Sequence, residues 1–336
     1  MTAKLGFGCV NLGSAASELS WSAQIRLIGD AIDRGITVFD TADAYGSGVS
    51  EILLGKAIAG RRDQVTISTK GGYLFRPRSP IEQRARRLAG RGLTQARQLA
   101  DRLTSSSADD EADHGGAPAP SNAGGGYTAQ DFSPTHLRNA VHASLQRLGT
   151  DHIDIYQLHG PNEVHDDLLA ELDDLRTAGT IGAFGIGAES LADAEAWLAV
   201  EQVGQIFLAF GLLDPYAASS VLPQARATGR KVWIRGVLGG GVLAAAMRDP
   251  NEVADHAKHQ AITELVAIAA DAGLGLDQLA IGWAIRPDEV DAVVLGMSSP
   301  RHLTRNLDLF AQPPLDDDLI ARIDDCLART LEPDPS

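Results

Sequence analysis

Short apolar runs alternate with amphipathic stretches along nearly all of this 336-residue chain, in about eight cycles of the kind that builds strand–helix repeats. That alternation limits the fold more than any other feature. Strands joined through helices run parallel, and a parallel sheet needs helices over it because its strands are apolar on both faces. The predicted strands are residues 5–9, Thr37–Thr41, Val65–Lys70, Ile153–His159, Ile181–Gly187, Val203–Phe210, Val232–Val237 and Ala292–Gly296. The helical period is plain over Ser133–Arg147. Ser133 suits an N-cap, Pro134 suits the first turn, and Leu137, Val141, Leu145 and Leu148 share a face that must pack on the sheet.

Such repeats either close into a barrel or stay open as a doubly wound sheet that carries a glycine-rich dinucleotide fingerprint. Gly6 and Gly8 begin a G-x-G, but Asn11 stands in the third glycine's place; Gly185 and Gly187 begin another, with Ser190 there. Both read more simply as tight strand-to-helix turns. The expected fold is therefore α/β, a closed (β/α)8 TIM barrel, with residues 1–336 forming a single domain.

One connection breaks the rhythm. Residues 71–132 separate the third strand from the third helix, far more than the usual βα loop of about 2 to 6 residues. From Arg76 to Arg102 the segment has eight arginines and two acidic residues; from Thr104 to Tyr127 it is rich in Ser, Gly, Ala, Pro and Asp. The second half lacks the apolar surface needed to order itself, so the insertion is expected to be partly disordered and to act as a lid over the barrel mouth.

Charge and cysteine content narrow the function classes. Twenty-nine Lys and Arg against 44 Asp and Glu give a net charge of -15, a field that repels nucleic-acid phosphates and anionic lipid surfaces. Neither nucleic acid nor membrane is an expected partner. Cys9 and Cys326 are too few for a disulfide framework, and no Cys or His spacing suits a metal, so none is expected. With no long apolar run and no signal-like start, a cytoplasmic location is expected.

In parallel α/β folds, reactive groups gather at the carboxyl ends of the strands. Asp40 ends the second run, Tyr45 follows in the turn ADAYGSG, Lys70 ends the third run and His159 the fourth. Each has an ordinary structural reading when taken singly. Together, a phenol, an amine, a carboxylate and an imidazole on one rim form a proton-transfer set. The ammonium is expected to lower the phenol's pKa, and the carboxylate to keep the lysine charged.

These residues resemble the aldo-keto reductases, barrel enzymes that use a nicotinamide cofactor. FDTADAYGSGVSEILLGKAI is similar to that family's stretch bearing its catalytic aspartate and tyrosine, STKGG to its lysine strand, SLQRLGTDHIDIYQLH to the helix and strand ending in its histidine, and VVLGMSSPRHLTRNL to its cofactor-phosphate segment. The resemblance implies that Tyr45 is a general acid, tuned by Lys70 and Asp40, that His159 orients a substrate oxygen, and that the cofactor is NADP(H), with NAD(H) as the alternative. It also implies cofactor contacts from Gln205, Arg235, Gly236, Leu238, Gly296, Ser298, Ser299, His302 and Asn306. Three departures stand out: Gly187 and Ala188 replace a polar pair that holds the nicotinamide carboxamide, Gln205 is offset by two residues, and His302 stands where Arg or Gln is frequent.

The implied substrate is a small carbonyl compound or alcohol, a sugar-like one in the oxidising direction. Two other functions fit the same resemblance. One is a nucleotide-binding regulatory module with little turnover, the other a redox-neutral isomerase or lyase.

Overall fold

In a computed structural model, which describes residues 3–14, 17–76, 129–160, 165–243 and 255–331, eight parallel strands close into a barrel in chain order. They are β1 (Lys4–Gly8), β2 (Val38–Asp40), β3 (Thr66–Gly71), β4 (Ile153–His159), β5 (Ile181–Gly187), β6 (Gln205–Ala209), β7 (Lys231–Arg235) and β8 (Val290–Gly296). β1 pairs with β8 from Lys4 opposite Ala292 to Gly8 opposite Gly296, which closes the ring. The expected TIM barrel is therefore the observed fold. The predicted sixth and seventh strands overrun their ends because apolar residues such as Phe210 and Val237 stay buried after the strand pairing stops.

Strand side chains alternate between two environments. The outward set packs against the helices in one continuous core that includes Phe7, Phe39, Ile67, Phe184 and Ile206. The inward set contains a smaller cluster of Val38, Ile155, Phe207, Trp233, Ala292 and Val294. Burying each of the larger side chains contributes about 1.5–3 kcal/mol. Polar side chains share the interior with this cluster: Gln157 Nε2 donates to Ser68 Oγ at 2.7 Å and to Gln205 Oε1 at 3.2 Å.

The covering helices follow their sequence signals. Pro134–Leu148 begins at Ser133, whose hydroxyl accepts from the His136 N–H, and buries Leu137, Val141 and Leu148. Pro300–Phe310 begins at Ser299, whose hydroxyl accepts from the His302 N–H. No single helix among the described residues is long and apolar enough to cross a membrane.

The insertion leaves and re-enters the barrel at the carboxyl ends of the strands. Its two limbs pair where Tyr73 lies antiparallel to Gln130, with Leu74 N donating to Ala129 O at 2.9 Å and Asp131 N to Gly72 O at 2.7 Å. Residues 77–128, on which the expected disorder and lid fall, lie outside the described residues.

Candidate active site

The turn after β2 is built to hold one tyrosine. Tyr45, Gly46, Ser47 and Gly48 form a single tight turn in which Gly46, Ser47 and Gly48 all have positive φ. Two glycines make such a run affordable, and Ser47 is the only non-glycine with positive φ among the described residues. The turn is tied to the barrel by Asp43 N, which donates to Lys70 O at 3.0 Å, and by Thr41 N, which donates to Ser68 O at 2.8 Å.

Lys70 enters this ring of groups from β3. Its ammonium donates to Asp40 Oδ1 at 2.7 Å, Asp40 Oδ2 at 2.6 Å and Thr41 O at 2.8 Å, and it reaches Tyr45 Oη at 3.5 Å. Lys70 is 2% exposed and Asp40 3%; a charge that far from water survives only when paired. Burial on its own would discharge the amine, but Asp40 and Tyr45 hold Lys70 above its ordinary range.

The phenol behaves differently from the expectation. Burial raises the Tyr45 pKa, and the opposing pull of Lys70 does not overcome it. Tyr45 is thus a protonated acid beside a fixed positive charge.

His159, at the end of β4, completes the set. Its ring meets Tyr45 edge-on, with centroids 6.0 Å apart and planes at 83°. Burial first, then Lys70 and Arg235, push its pKa down to about 3, so the ring is neutral at physiological pH. The four predicted catalytic residues come together on one rim.

A buried network behind the turn was absent from the sequence-based reading. Glu51 is 0% exposed. It accepts from Thr69 Oγ1 at 2.6 Å and from Arg147 Nε at 2.6 Å, linking β3 to the helices Val49–Ile58 and Pro134–Leu148. Arg147 also packs under the tyrosine turn, where a Cβ on Gly48 would lie 2.9 Å from its Cδ. Glu51 and Arg147 lie in two of the quoted stretches, but 95 residues of intervening chain hide their pairing. Only complementary charge on otherwise apolar helix faces could have signalled it.

The predicted cofactor residues divide into two groups. Gly296, Ser298, Ser299, His302 and Asn306 sit together at the end of β8 and the start of Pro300–Phe310. Ser298 Oγ is 2.9 Å from His302 Nδ1, and Asn306 Nδ2 donates to Gly296 O at 3.3 Å. Beside them a groove of about 650 Å³ is lined by residues that include Arg301, His302, Thr304 and Arg305. Neither arginine was singled out from the sequence. Arg305 is anchored by Asp277, which accepts from its Nε at 2.8 Å.

At the other end, Arg235 closes β7. It donates through Nη2 to Ala188 O at 2.7 Å and lies over the Phe207 ring, with its guanidinium carbon 6.0 Å from the ring centroid. Gly236 and Leu238 follow in the turn, Gly236 exposed and Leu238 partly buried against the core. Gln205 is not with them. It is 1% exposed at the start of β6 and bonded to Gln157 inside the barrel. The residue facing Lys70 is Phe207, whose centroid is 5.2 Å from Nζ. A shift of two residues keeps the inward direction but moves a side chain one layer deeper.

Over residues 4–328 the sequence matches the family model of the Aldo/keto reductase family. It is 29% identical over 327 residues to D-threo-aldose 1-dehydrogenase of Pseudomonas sp, an alignment covering 91% of this chain and 89% of the relative. Among solved structures it is similar to aldo-keto reductase AKR11C1 from Bacillus halodurans in its holo form, with a TM-score of 0.72, 23% identity and coverage of 97% and 92% of the two chains. It is also similar to an aldo/keto reductase from Klebsiella pneumoniae in complex with NADP and acetate, with a TM-score of 0.64, 20% identity and coverage of 96% and 91%. A closed parallel barrel, a buried lysine–aspartate pair beside a tyrosine and a match along nearly the whole chain make this protein a member of the aldo/keto reductase family and an NAD(P)H-dependent oxidoreductase.

Proposed function

We propose that the protein reduces an aldehyde or ketone with NADPH, or oxidises a sugar-like alcohol in reverse, with Tyr45 as the proton donor and acceptor. The observation that carries this reading is the 3.5 Å approach of a paired, buried ammonium to the Tyr45 hydroxyl. The name of the Pseudomonas relative, an aldose dehydrogenase, supports a sugar-like substrate.

The residues present fit a dinucleotide. A Cβ built on Gly296 meets nothing within 4 Å, so the end of β8 is open. The adjoining groove offers Arg301, His302 and Arg305 to a phosphate at a helix N-terminus. Ser298, Ser299 and Asn306 would hold the same end, while Arg235, Gly236 and Leu238 would border the nicotinamide. The Klebsiella pneumoniae neighbour contains NADP, which supports this choice of cofactor. When bound, the nicotinamide supplies or accepts hydride.

The chain's own groups handle the proton. In reduction, the Tyr45 O–H donates to the carbonyl oxygen as negative charge develops there. Lys70 stabilises the phenolate left behind, and Asp40 keeps Lys70 charged and in place. His159, neutral, donates a hydrogen bond to the same oxygen without competing for the proton. In oxidation each transfer runs backwards.

Mixing the protein with NADPH and a panel of aldehydes, and with NADP and a panel of sugar-like alcohols, tests the proposal through absorbance of the reduced nicotinamide. Turnover that disappears in Tyr45→Phe supports it. Tight cofactor binding without turnover on any substrate would favour a regulatory module, and product without net cofactor consumption would favour an isomerase or lyase.

A further inference from the structure

The stem of the insertion stands beside His159. Tyr73, two residues past the end of β3, presents its ring edge-on to the imidazole, with centroids 4.7 Å apart and planes at 79°. Its hydroxyl donates to Glu189 Oε1 at 2.9 Å, and Glu189 lies two residues past the end of β5. β4 runs between those two strands. The Tyr73–Glu189 pair therefore arches over the end of the strand that carries His159.

The arch has a built seat. Gly160, at φ 66°, lacks the Cβ that would stand 2.7 Å from the Glu189 carboxyl group. From the returning limb of the insertion, Gln130 Nε2 donates to His159 O at 2.8 Å and to Gly160 O at 3.2 Å. Phe132 fills the space over Gly72, where a Cβ would come within 2.2 Å of its ring.

A neutral imidazole works as a donor only if its ring orientation and tautomer are held, which a partner on the second nitrogen commonly does. His159 Nδ1 is buried and has no such partner among the described residues. A proton on Nδ1 would be a buried donor without an acceptor, which leaves the proton on Nε2. The ring's orientation then rests on packing, and among the described residues Tyr73 is nearer to it than Tyr45.

We propose that Tyr73, held by Glu189, is a positioning residue that locks His159 in the orientation and tautomer from which Nε2 donates to the substrate oxygen. The base of the insertion is then part of the active site. The donor role of His159 rests on the function proposed above; the lock itself does not. The charged and titratable groups around the imidazole are Lys70 of β3, Arg235 of β7, Tyr45 after β2, and Tyr73 and Glu189 of the arch.

The test is imidazole nitrogen NMR on the full-length protein, with His159→Asn identifying the His159 signals among those of nine histidines. In the native protein His159 is expected as a single Nε2–H tautomer that does not titrate between pH 5 and 8. Tyr73→Ala is expected to mix the tautomers and to move the titration up by at least about one pH unit. It should also lower kcat by about 10-fold or more while cofactor affinity stays the same. Tyr73→Phe, which keeps the ring and loses the Glu189 bond, is expected to fall between the two, and Glu189→Gln, which keeps an acceptor, close to native. A folded Tyr73→Ala protein whose His159 keeps its tautomer and titration overturns the proposal. Should Tyr73→Ala fail to fold, a Tyr73→Phe protein with unaltered His159 signals overturns it equally. If no substrate is turned over but Tyr73→Ala still releases the ring, only the reaction proposed above fails.

Discussion

The two ends of the site are held by different means. Around Lys70 the groups are almost fully buried and the contacts are short ion pairs, with Asp40 and Lys70 each 3% exposed or less. Around the helix start at Pro300, Ser298, Ser299 and His302 are partly exposed and hydrogen-bonded, meeting each other and the first helical turn. The first end needs a charge that does not relax while a proton moves. The second needs only to hold an anion, which backbone N–H groups, a helix terminus and screened side chains can do. Damage should therefore be severe and all-or-none at one end and graded, salt-sensitive and pH-sensitive at the other.

Lys70→Met should have the largest effect. It leaves Asp40 buried without its partner, at a cost of about 3–5 kcal/mol in stability. Denaturant unfolding should show that loss, and turnover should fall below detection. A Lys70→Met protein as stable as the native one would mean that the pair adds no stability.

Tyr45→Phe tests the same end with the fold intact. Loss of the hydroxyl alone should lower kcat by at least about 100-fold, with cofactor affinity measured by fluorescence titration unchanged. Undiminished turnover would remove Tyr45 from the mechanism.

His159 gives a pH signature. Its folded-state pKa of about 3 lies below the unfolded value of about 6.5, so burying the neutral ring stabilises the fold fully above about pH 6.5 and progressively less as pH falls towards about 3. The stability advantage of the native protein over His159→Gln should shrink by about 1–2 kcal/mol between pH 7.5 and pH 5. An advantage that stays constant or grows on acidification would contradict the buried neutral ring.

The smallest effects belong to the cofactor end. If a protonated His302 helps hold the 2'-phosphate, NADPH should bind a few-fold more tightly at pH 6 than at pH 8, with little change for NADH. His302→Ala should remove the difference, and added salt should weaken it. Equal affinities for both cofactors at both pH values would show that the phosphate is not read.

The sequence was most informative where the chemistry is local. The strand ends, the turn ADAYGSG, the Ser133 cap and the helix start after Ser299 each declare themselves within a few residues. The strand ends placed Asp40, Tyr45, Lys70 and His159 on one rim, and the barrel brings them together there. It was least informative at Gln205, where residue type matched and depth did not: an inward-facing side chain on a strand says nothing of which layer it occupies until the register with its neighbours is known. The response of Tyr45 to Lys70 was also misjudged, because proximity to a cation was legible in the motif and the extent of burial was not.

The alternation of strand and helix determined a parallel sheet covered by helices, because period and chain direction admit few other ways to cover both faces of the strands, and the missing dinucleotide fingerprint pointed to its closed form. The motif spacing determined which residues meet at the carboxyl ends. The tertiary structure alone decided that Glu51 pairs with Arg147, that Phe207 rather than Gln205 faces Lys70, and that Tyr73 and Glu189 bridge across β4. Each of these joins residues far apart in the chain or sets a depth within the barrel, and those depend on how strands shift against one another and how completely water is excluded, quantities that no local pattern of residues carries.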